Sequence, residues 1–212
     1  MTRLLEPTHD CPLCPRLMAF RHEQRARHPD WFNAPVPCFG PQDAAIAIAG
    51  LAPGLQGANR TGRPFTGDWA GDLLFSTLLK TGLATGKYEE RANDTLKLVN
   101  IRIANSVRCV PPQNKPEPSE IHTCRQFLIS ELETLPKVKV ILALGKIAHD
   151  SVLKTLGARI AGHPFTHGKV YDLGKFKLIS SYHCSRYNTN TRVLTTKMFE
   201  DVVALAKAQA LK

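Results

Sequence analysis

The sequence lacks any long apolar run and any apolar leader. None of its hydrophobic stretches reaches the roughly 20 residues that a membrane helix needs. The first residues, Met1-Thr2-Arg3-Leu4-Leu5-Glu6, do not form the apolar segment of a secretory signal peptide. We therefore expect a soluble, cytoplasmic protein with no membrane association.

Acidic residues are scarce relative to basic ones. The chain has 18 Asp and Glu against 28 Lys and Arg, a net charge of +10. Such an excess favours a polyanionic partner, because each Lys or Arg near a phosphate releases a condensed counterion. It also serves solubility alone. Charge by itself therefore supports nucleic-acid binding and a merely solvated surface about equally.

Internal repeats and low-complexity tracts are also missing. Apolar residues make up 43% and charged residues 22% of the chain, which is typical of a globular protein. A length of 212 residues is enough for one domain with a substantial core. We expect a single domain over residues 1–212, and a monomer.

Four nearly continuous apolar runs predict strands that are covered on both faces. They are Ala44–Ala49, Leu96–Ile103, Val138–Leu144 and Phe176–Ser180. Helical patterns occupy Gly71–Thr81, Ser119–Glu133, Lys146–Leu156 and Thr195–Ala208. Alternating strands and helices predict an α/β fold, a three-layer α/β/α sandwich around a central, mostly parallel sheet.

Functional sites in such sheets form in the loops at the carboxyl ends of the strands. Two unusual loops, Gly50–Asp68 and Ser181–Thr191, follow the first and last predicted strands. We expect them to converge on one edge of the sheet. The N-terminal segment, residues 1–43, has no strong periodicity and contains several prolines. Something other than apolar packing must hold it to the core.

Cysteines could hold this segment. Without a secretory signal, disulfides are disfavoured, which leaves metal binding, catalysis or plain burial. Cys11 and Cys14 form a Cys-x2-Cys pair, a spacing that binds one metal centre from a tight turn. Cys109 and Cys124 are predicted to lie at a strand end and in the next helix, so their sulfurs can meet.

A four-thiolate centre would staple the N-terminal segment to the core. Such a site has no open coordination position, so its role would be structural. Spacing alone leaves zinc and an iron–sulfur cluster both open. A buried free thiol is the alternative for each cysteine, and it has most weight for Cys38 and Cys184.

Three sequence blocks resemble those of the type-5 (B) uracil-DNA glycosylases, in the iron–sulfur branch of that superfamily. The loop Gly50–Asp68, with its Gly-Leu-Ala-Pro-Gly opening, resembles their first motif. Asn105–Pro112 resembles the second block. Ser181–Arg186 is similar to their His-Pro-Ser block, with Cys184 where Pro is usual.

The resemblance implies the α/β/α fold of these enzymes and a [4Fe–4S] cluster on Cys11, Cys14, Cys109 and Cys124. It also implies base-excision repair of DNA that contains uracil. Type-5 members tolerate other deaminated bases such as hypoxanthine, so the resemblance implies that breadth too.

Three side chains are candidates for handling the base, which must be flipped out of the duplex to be reached. Phe65 is the candidate stacking surface. The carboxamide of Asn105 offers both a donor and an acceptor to the base edge. His183 is placed to donate to the departing base. The alternatives are a loop anchor for Phe65 and a loop cap for Asn105.

Asp68 is the candidate carboxylate, which would stabilise the sugar cation or orient water. The alternative is an N-cap for the helix that follows. Other types carry an acidic residue in the Gly-x-x-Pro turn, where this chain has Leu51 and Ala52, so Asp68 is the nearest substitute. Backbone N–H groups at Gly50, Ala52 and Gly54 are candidates for binding the base or a phosphate.

Arg60, Arg63, Arg186 and Tyr187 are candidate DNA contacts, as is Arg192, and solvated surface is the alternative for each. No Arg/Lys-rich insertion accompanies the active loop, which disfavours a covalent uracil-DNA trap. A metal-stapled binding module without activity is the other rival, but it leaves the long Gly50–Asp68 loop unexplained.

Overall fold

The computed structural model describes residues 4–211 of the chain. In the described part, the strands are β1 (Ile46–Gly50), β2 (Ala84–Thr85), β3 (Lys97–Leu98), β4 (Ile101–Asn105), β5 (Val140–Leu144), β6 (Val170–Asp172) and β7 (Lys177–Ser181). The helices are α1 (Pro15–Arg27), α2 (Ala58–Thr61), α3 (Trp69–Lys80), α4 (Pro118–Thr134), α5 (Lys146–Thr155), α6 (Arg186–Asn190) and α7 (Thr196–Ala210).

Five strands form the central sheet, in the order β4-β1-β5-β7-β6. The first four are parallel, and β6 is an antiparallel edge strand. Every residue of β1, β4 and β5 is buried, as the nearly continuous apolar runs predict. Strands β2 and β3 pair separately as a small antiparallel ribbon.

Helices cover both faces of the sheet. Successive side chains of a strand point to opposite faces, so Ile46 and Ile48 pack with the apolar residues of α3 and α7. Ala47 and Ala49 pack on the other face with those of α4 and α5. This layering confirms the predicted α/β/α sandwich. Between residues 4 and 211, no helix has both the length and the apolar character to cross a bilayer.

Two local predictions need correction. The N-terminal segment contains a 13-residue helix, α1, that apolar periodicity does not reveal because its buried side chains are Leu17, Arg21 and Gln24. The predicted strand Leu96–Ile103 is broken into β3 and β4. Between them Asn100 adopts a left-handed conformation with φ +58°, which interrupts the extended backbone.

Candidate active site and cysteine centre

A cavity of about 480 Å³ opens at the carboxyl ends of the parallel strands. Its walls come from the loops that follow β1, β4, β5 and β7, so the two unusual loops do converge as the topology predicts. Of the predicted site residues, the cavity wall contains Ala52, Gly54, Phe65, Asp68, Asn105, His183 and Arg186.

Phe65 is held tightly in this wall. Its backbone is left-handed, with φ +54°, and its side chain is buried. The ring lies 6.1 Å from the His183 ring at an interplanar angle of 28°. Gly50 makes this possible, because a Cβ there would lie 3.0 Å from the Phe65 ring and 2.3 Å from Asn105 Oδ1. Gly50 lies beneath the cavity, and its lack of a side chain leaves room for Phe65 and Asn105.

Asn105 ends β4 with an unsatisfied amide oxygen. The residue is 4% exposed, and Oδ1 has no hydrogen-bond partner in the described structure. Leaving a buried acceptor unpaired costs about 1–3 kcal/mol. A bound molecule that donates a hydrogen bond to Asn105 Oδ1 would therefore remove this cost. A cap that bonds the backbone, the alternative for Asn105, would not leave this oxygen free.

His183 is fixed through its neighbours in the chain. Asn188 Nδ2 donates to the His183 carbonyl at 2.8 Å, and the backbone N–H of Tyr182 donates to His167 Nδ1 at 3.1 Å. Burial lowers the pKa of His183, while the nearby Asp68 carboxylate raises it less. The imidazole is therefore neutral at neutral pH, and it keeps one N–H to donate.

Asp68 combines the two roles that the sequence leaves open. Its Oδ1 accepts a hydrogen bond from the Gly71 backbone at 3.3 Å and so caps α3. Its Oδ2 faces the preceding loop, where a Cβ at Gly57 would lie 2.3 Å and one at Gly54 3.1 Å from it. One oxygen caps the helix and the other faces the preceding loop, in a residue that lines the cavity.

The candidate DNA contacts at the rim lie mainly on α6. Tyr187 is 74% exposed. The Arg186 guanidinium lies 5.6 Å from the Trp69 ring, and Trp69 Nε1 donates to Thr189 Oγ1 at 3.0 Å. These contacts form an exposed ridge of aromatic and basic side chains beside the cavity mouth. Arg60 and Arg192 are also exposed.

The structure corrects the prediction for Arg63. Its side chain is buried and forms two hydrogen bonds of 2.7 Å to the carboxylate of Asp94. The guanidinium also lies 5.0 Å from the Phe39 ring. Although burial raises the pKa of Asp94, hydrogen bonds from Arg63 and from two backbone N–H groups lower it to about 2. Arg63 anchors the loop, and its buried guanidinium is occupied by Asp94.

Sequence reasoning missed several residues of the cavity wall, among them Trp69, Asn114, Lys146 and Ile147. Lys146 and Ile147 follow Gly145, directly after β5, so the rule about carboxyl ends of strands could have found them. Trp69 directly follows Asp68 and is 47% exposed. For Asn114 no signal was available, because the path of the Pro-rich loop cannot be read from composition.

The four predicted metal ligands come together beside α1. Cys109 and Cys124 are buried in a small cluster with Leu17, and Cys11 and Cys14 pack against it. Among the described residues, no three of these sulfurs lie within 4.8 Å of one another. Four thiolates are the donor set that either a zinc ion or an iron–sulfur cluster takes, so these residues fit a metal centre.

The remaining cysteines fit the free-thiol interpretation. Cys184 is fully buried, and its thiol donates to the Ala70 carbonyl at 3.5 Å. Cys38 lies near Glu6 and Glu131. Glu131 is already bonded to Arg102, which opposes a cation there. Burial raises the pKa of both thiols to about 12.

Comparison with known proteins places this geometry in a family. Residues 37–207 match the family described as the uracil DNA glycosylase superfamily. The type-5 uracil-DNA glycosylase of Thermus thermophilus is 46% identical over 207 residues, 94% of each chain. That of Pyrobaculum aerophilum is 37% identical over 205 residues, covering 95% of this chain and 89% of the relative. The type-4 enzyme of Archaeoglobus fulgidus is 32% identical over 153 residues, 70% of this chain and 69% of the relative. This chain therefore belongs to the uracil-DNA glycosylase superfamily, and within it to the type-5 members.

Proposed function

We propose that this protein is a DNA N-glycosylase that hydrolyses the glycosidic bond of uracil in DNA and so initiates base-excision repair. The observation that carries the proposal is the composition of one cavity. It gathers an aromatic ring (Phe65), an unpartnered amide (Asn105), a neutral imidazole (His183) and a carboxylate (Asp68). The names of the type-5 relatives support uracil as the base.

Recognition follows from the first two side chains. The flipped base stacks on Phe65, an interaction worth about 1–3 kcal/mol for a base on an aromatic ring. Asn105 Oδ1, which lacks a donor in the free protein, accepts the N3–H of uracil, and the amide NH₂ donates to O4. Cytosine has no hydrogen on N3 and cannot donate to Asn105 Oδ1, so it leaves this buried oxygen unpaired.

Bond cleavage places negative charge on the departing base and positive charge on the sugar. The neutral His183 donates its N–H to uracil O2, where the negative charge collects. One preorganised donor of this kind is worth about 2.7–4 kcal/mol in acyl transfer. Asp68 Oδ2 stabilises the sugar cation or orients the attacking water, as carboxylates do in other glycosidic hydrolyses.

The rim residues bind the DNA around the flipped nucleotide. Arg186 and Tyr187 stand on the exposed ridge, where Arg186 binds a phosphate next to the flipped nucleotide and Tyr187 fills the gap that the base leaves in the stack. Arg60 contacts a phosphate, and the backbone N–H groups at Ala52 and Gly54 face the bound nucleotide. The net charge of +10 supports this partner.

The proposed substrate range extends to hypoxanthine. A carboxamide that rotates about its terminal bond exchanges donor and acceptor, so Asn105 can pair with more than one base edge. Synthetic duplexes and single strands, each with one uracil, hypoxanthine or xanthine, test this range through alkali-labile abasic sites. Cleavage at uracil alone would restrict the proposal to that base.

We also propose that Cys11, Cys14, Cys109 and Cys124 hold a [4Fe–4S] cluster. When bound, the cluster supplies a rigid cross-link between the N-terminal segment, the loop after β4 and α4, and no chemistry at the base. Purified protein should be brown and contain iron and acid-labile sulfide in equal amounts. A colourless protein with one equivalent of zinc would refute the cluster.

The central test is a duplex with a single uracil, incubated with the protein and analysed on a denaturing gel. Strand cleavage after alkali, with free uracil released, is the expected result. A covalently shifted band without cleavage would indicate a trap. Binding with neither product would indicate a module without activity, and either result would contradict the proposed function.

A further inference from the structure

Arg21 is the fully buried charge of the N-terminal helix. It lies in the middle of α1, and none of its surface is exposed. Its Nη1 donates to the carbonyl of His9 at 2.8 Å, and its Nη2 donates to that of Cys11 at 2.7 Å. Its Nε has no partner in the described structure. Two neutral carbonyls therefore hold a buried positive charge.

The other buried arginines show how unusual this is. Arg63 is paired with Asp94, and Arg102 with Glu131. Arg108 lies 3.9 Å from the same Glu131. Within residues 4–211, no carboxylate lies within 4.0 Å of the Arg21 nitrogens. An unpaired charge inside a protein costs several kcal/mol, so this site requires a negative partner.

Glu120, a buried acid near the start of α4, does not provide it. Its carboxylate is held by Arg16 through two hydrogen bonds of 2.8 Å. What remains beside Arg21 is the group of four cysteines. Arg21 bonds the Cys11 carbonyl, and Leu17, one turn earlier on α1, packs in the same cluster as Cys109 and Cys124.

We propose that Arg21 is the buried counter-ion of the four-cysteine metal centre. This inference rests on the cysteine centre of the proposed function and adds a residue outside its ligands. Four thiolates on a [4Fe–4S]²⁺ core, or on one Zn²⁺, carry a net charge of −2, which neutralises the guanidinium. The two carbonyl bonds fix Arg21 to the turn that carries Cys11, and the free Nε–H is the donor left for a sulfur.

The test compares Arg21→Met with Arg21→Lys and the matched control Arg25→Met, all as purified metal-loaded protein. Arg25 lies one turn later on α1 and also binds the N-terminal segment, through His9 and Asp10, but it is partly exposed. Metal release into excess chelator is followed by the loss of visible absorbance, or with a zinc indicator if the protein holds zinc.

We expect Arg21→Met to release metal about 10- to 100-fold faster than the unchanged protein, the usual effect of removing a partner just outside the ligand shell. Arg21→Lys, which keeps the charge, and Arg25→Met should release metal at nearly the rate of the unchanged protein. In a dithionite titration, Arg21→Met should shift the cluster to a more negative potential, because the reduced centre carries one more negative charge.

Unchanged metal release in Arg21→Met would overturn the proposal. If Arg21→Met cannot be purified in folded form, Arg21→Lys alone tests the proposal. A tenfold faster metal release from Arg21→Lys would show that the two carbonyl hydrogen bonds stabilise the centre and that the charge does not. Finding zinc in the unchanged protein would refute only the cluster, because the zinc centre carries the same charge and the release assay still applies.

Discussion

At the scale of single residues, Asp68 shows how one side chain can hold a helix and border a reaction site. In the sequence, a carboxylate before a helix fits a cap and a catalyst equally. The structure separates them by atom, with Oδ1 on the backbone of Gly71 and Oδ2 toward Gly54 and Gly57. Substitutions can therefore separate them too.

We expect Asp68→Asn to lower the rate of uracil excision by about 10²- to 10³-fold, the range for loss of one preorganised electrostatic stabiliser. Asn is also a good N-cap, so stability should change by only a few tenths of a kcal/mol. Single-turnover kinetics and urea unfolding measure the two effects. Full activity in this variant would remove Asp68 from the mechanism.

Gly50 supports the base pocket from beneath. We expect Gly50→Ala to displace Asn105 or Phe65, because its Cβ would lie 2.3 Å from Asn105 Oδ1. Forcing a methyl group into a packed site costs about 1–3 kcal/mol. Uracil excision should fall more than affinity for undamaged DNA, as measured by gel assay and by fluorescence anisotropy. Gly162→Ala, with open space around it, is the control.

The imidazole of His183 gives the reaction a pH dependence. Burial holds its pKa below the ordinary 6.5. The neutral form therefore contributes stability above pH 6.5, which is lost as the pH falls through the folded pKa. Protonation changes the charge and the hydrogen bonds of this donor. Excision should therefore decline as the pH falls through the folded pKa of His183. His183→Gln should lose activity and flatten this acidic limb of the rate profile, and an unchanged limb would assign it to another group.

At the scale of elements, the loop between Cys109 and Cys124 brings the side chain of Asn114 to the cavity wall. The sequence does not predict this position. Gln113 and Asn114 both adopt left-handed backbone conformations, with φ +54° and +57°. Only Asn114 lines the cavity. Arg16 donates to the Lys115 carbonyl at 3.2 Å and so links this loop to α1.

We expect Asn114→Gly to weaken binding of DNA with a non-cleavable uracil analogue by about 2- to 10-fold, the value of one hydrogen bond. Glycine keeps the left-handed backbone, so the side chain alone is removed. Gln113→Gly, the matched control, should bind as the unchanged protein does. Equal losses in both variants would point to loop flexibility instead.

The elements that the sequence predicted well are those whose buried faces are apolar. The central strands are apolar on both faces, and α3, α4, α5 and α7 each present an apolar stripe, so their periodicity is legible. Helix α1 was missed because polar side chains, Arg21 and Gln24, occupy its buried face. Motifs and strand ends predicted several of the residues that line the cavity, but the burial of Arg63 depends on Asp94, 31 residues away.

At the scale of the whole molecule, the excess of basic residues predicts binding that weakens with salt. Affinity for DNA should fall linearly in a plot of log K against log salt. Arg186→Met should reduce that slope by about one unit, as removal of one phosphate contact does. Lys80→Met, far from the cavity and paired with Glu200, should leave it unchanged. A slope that does not respond to Arg186 would place the phosphate contacts elsewhere.

The buried pair of Arg63 and Asp94 has a consequence for how the protein meets its substrate. It fixes the loop that carries Phe65, so the floor of the cavity is ordered before DNA arrives. The conformational entropy of that loop is lost during folding and not during binding, which leaves more of the contact energy for discrimination. Accommodation of a larger base therefore falls to the cavity mouth, where Trp69 and Tyr187 are exposed.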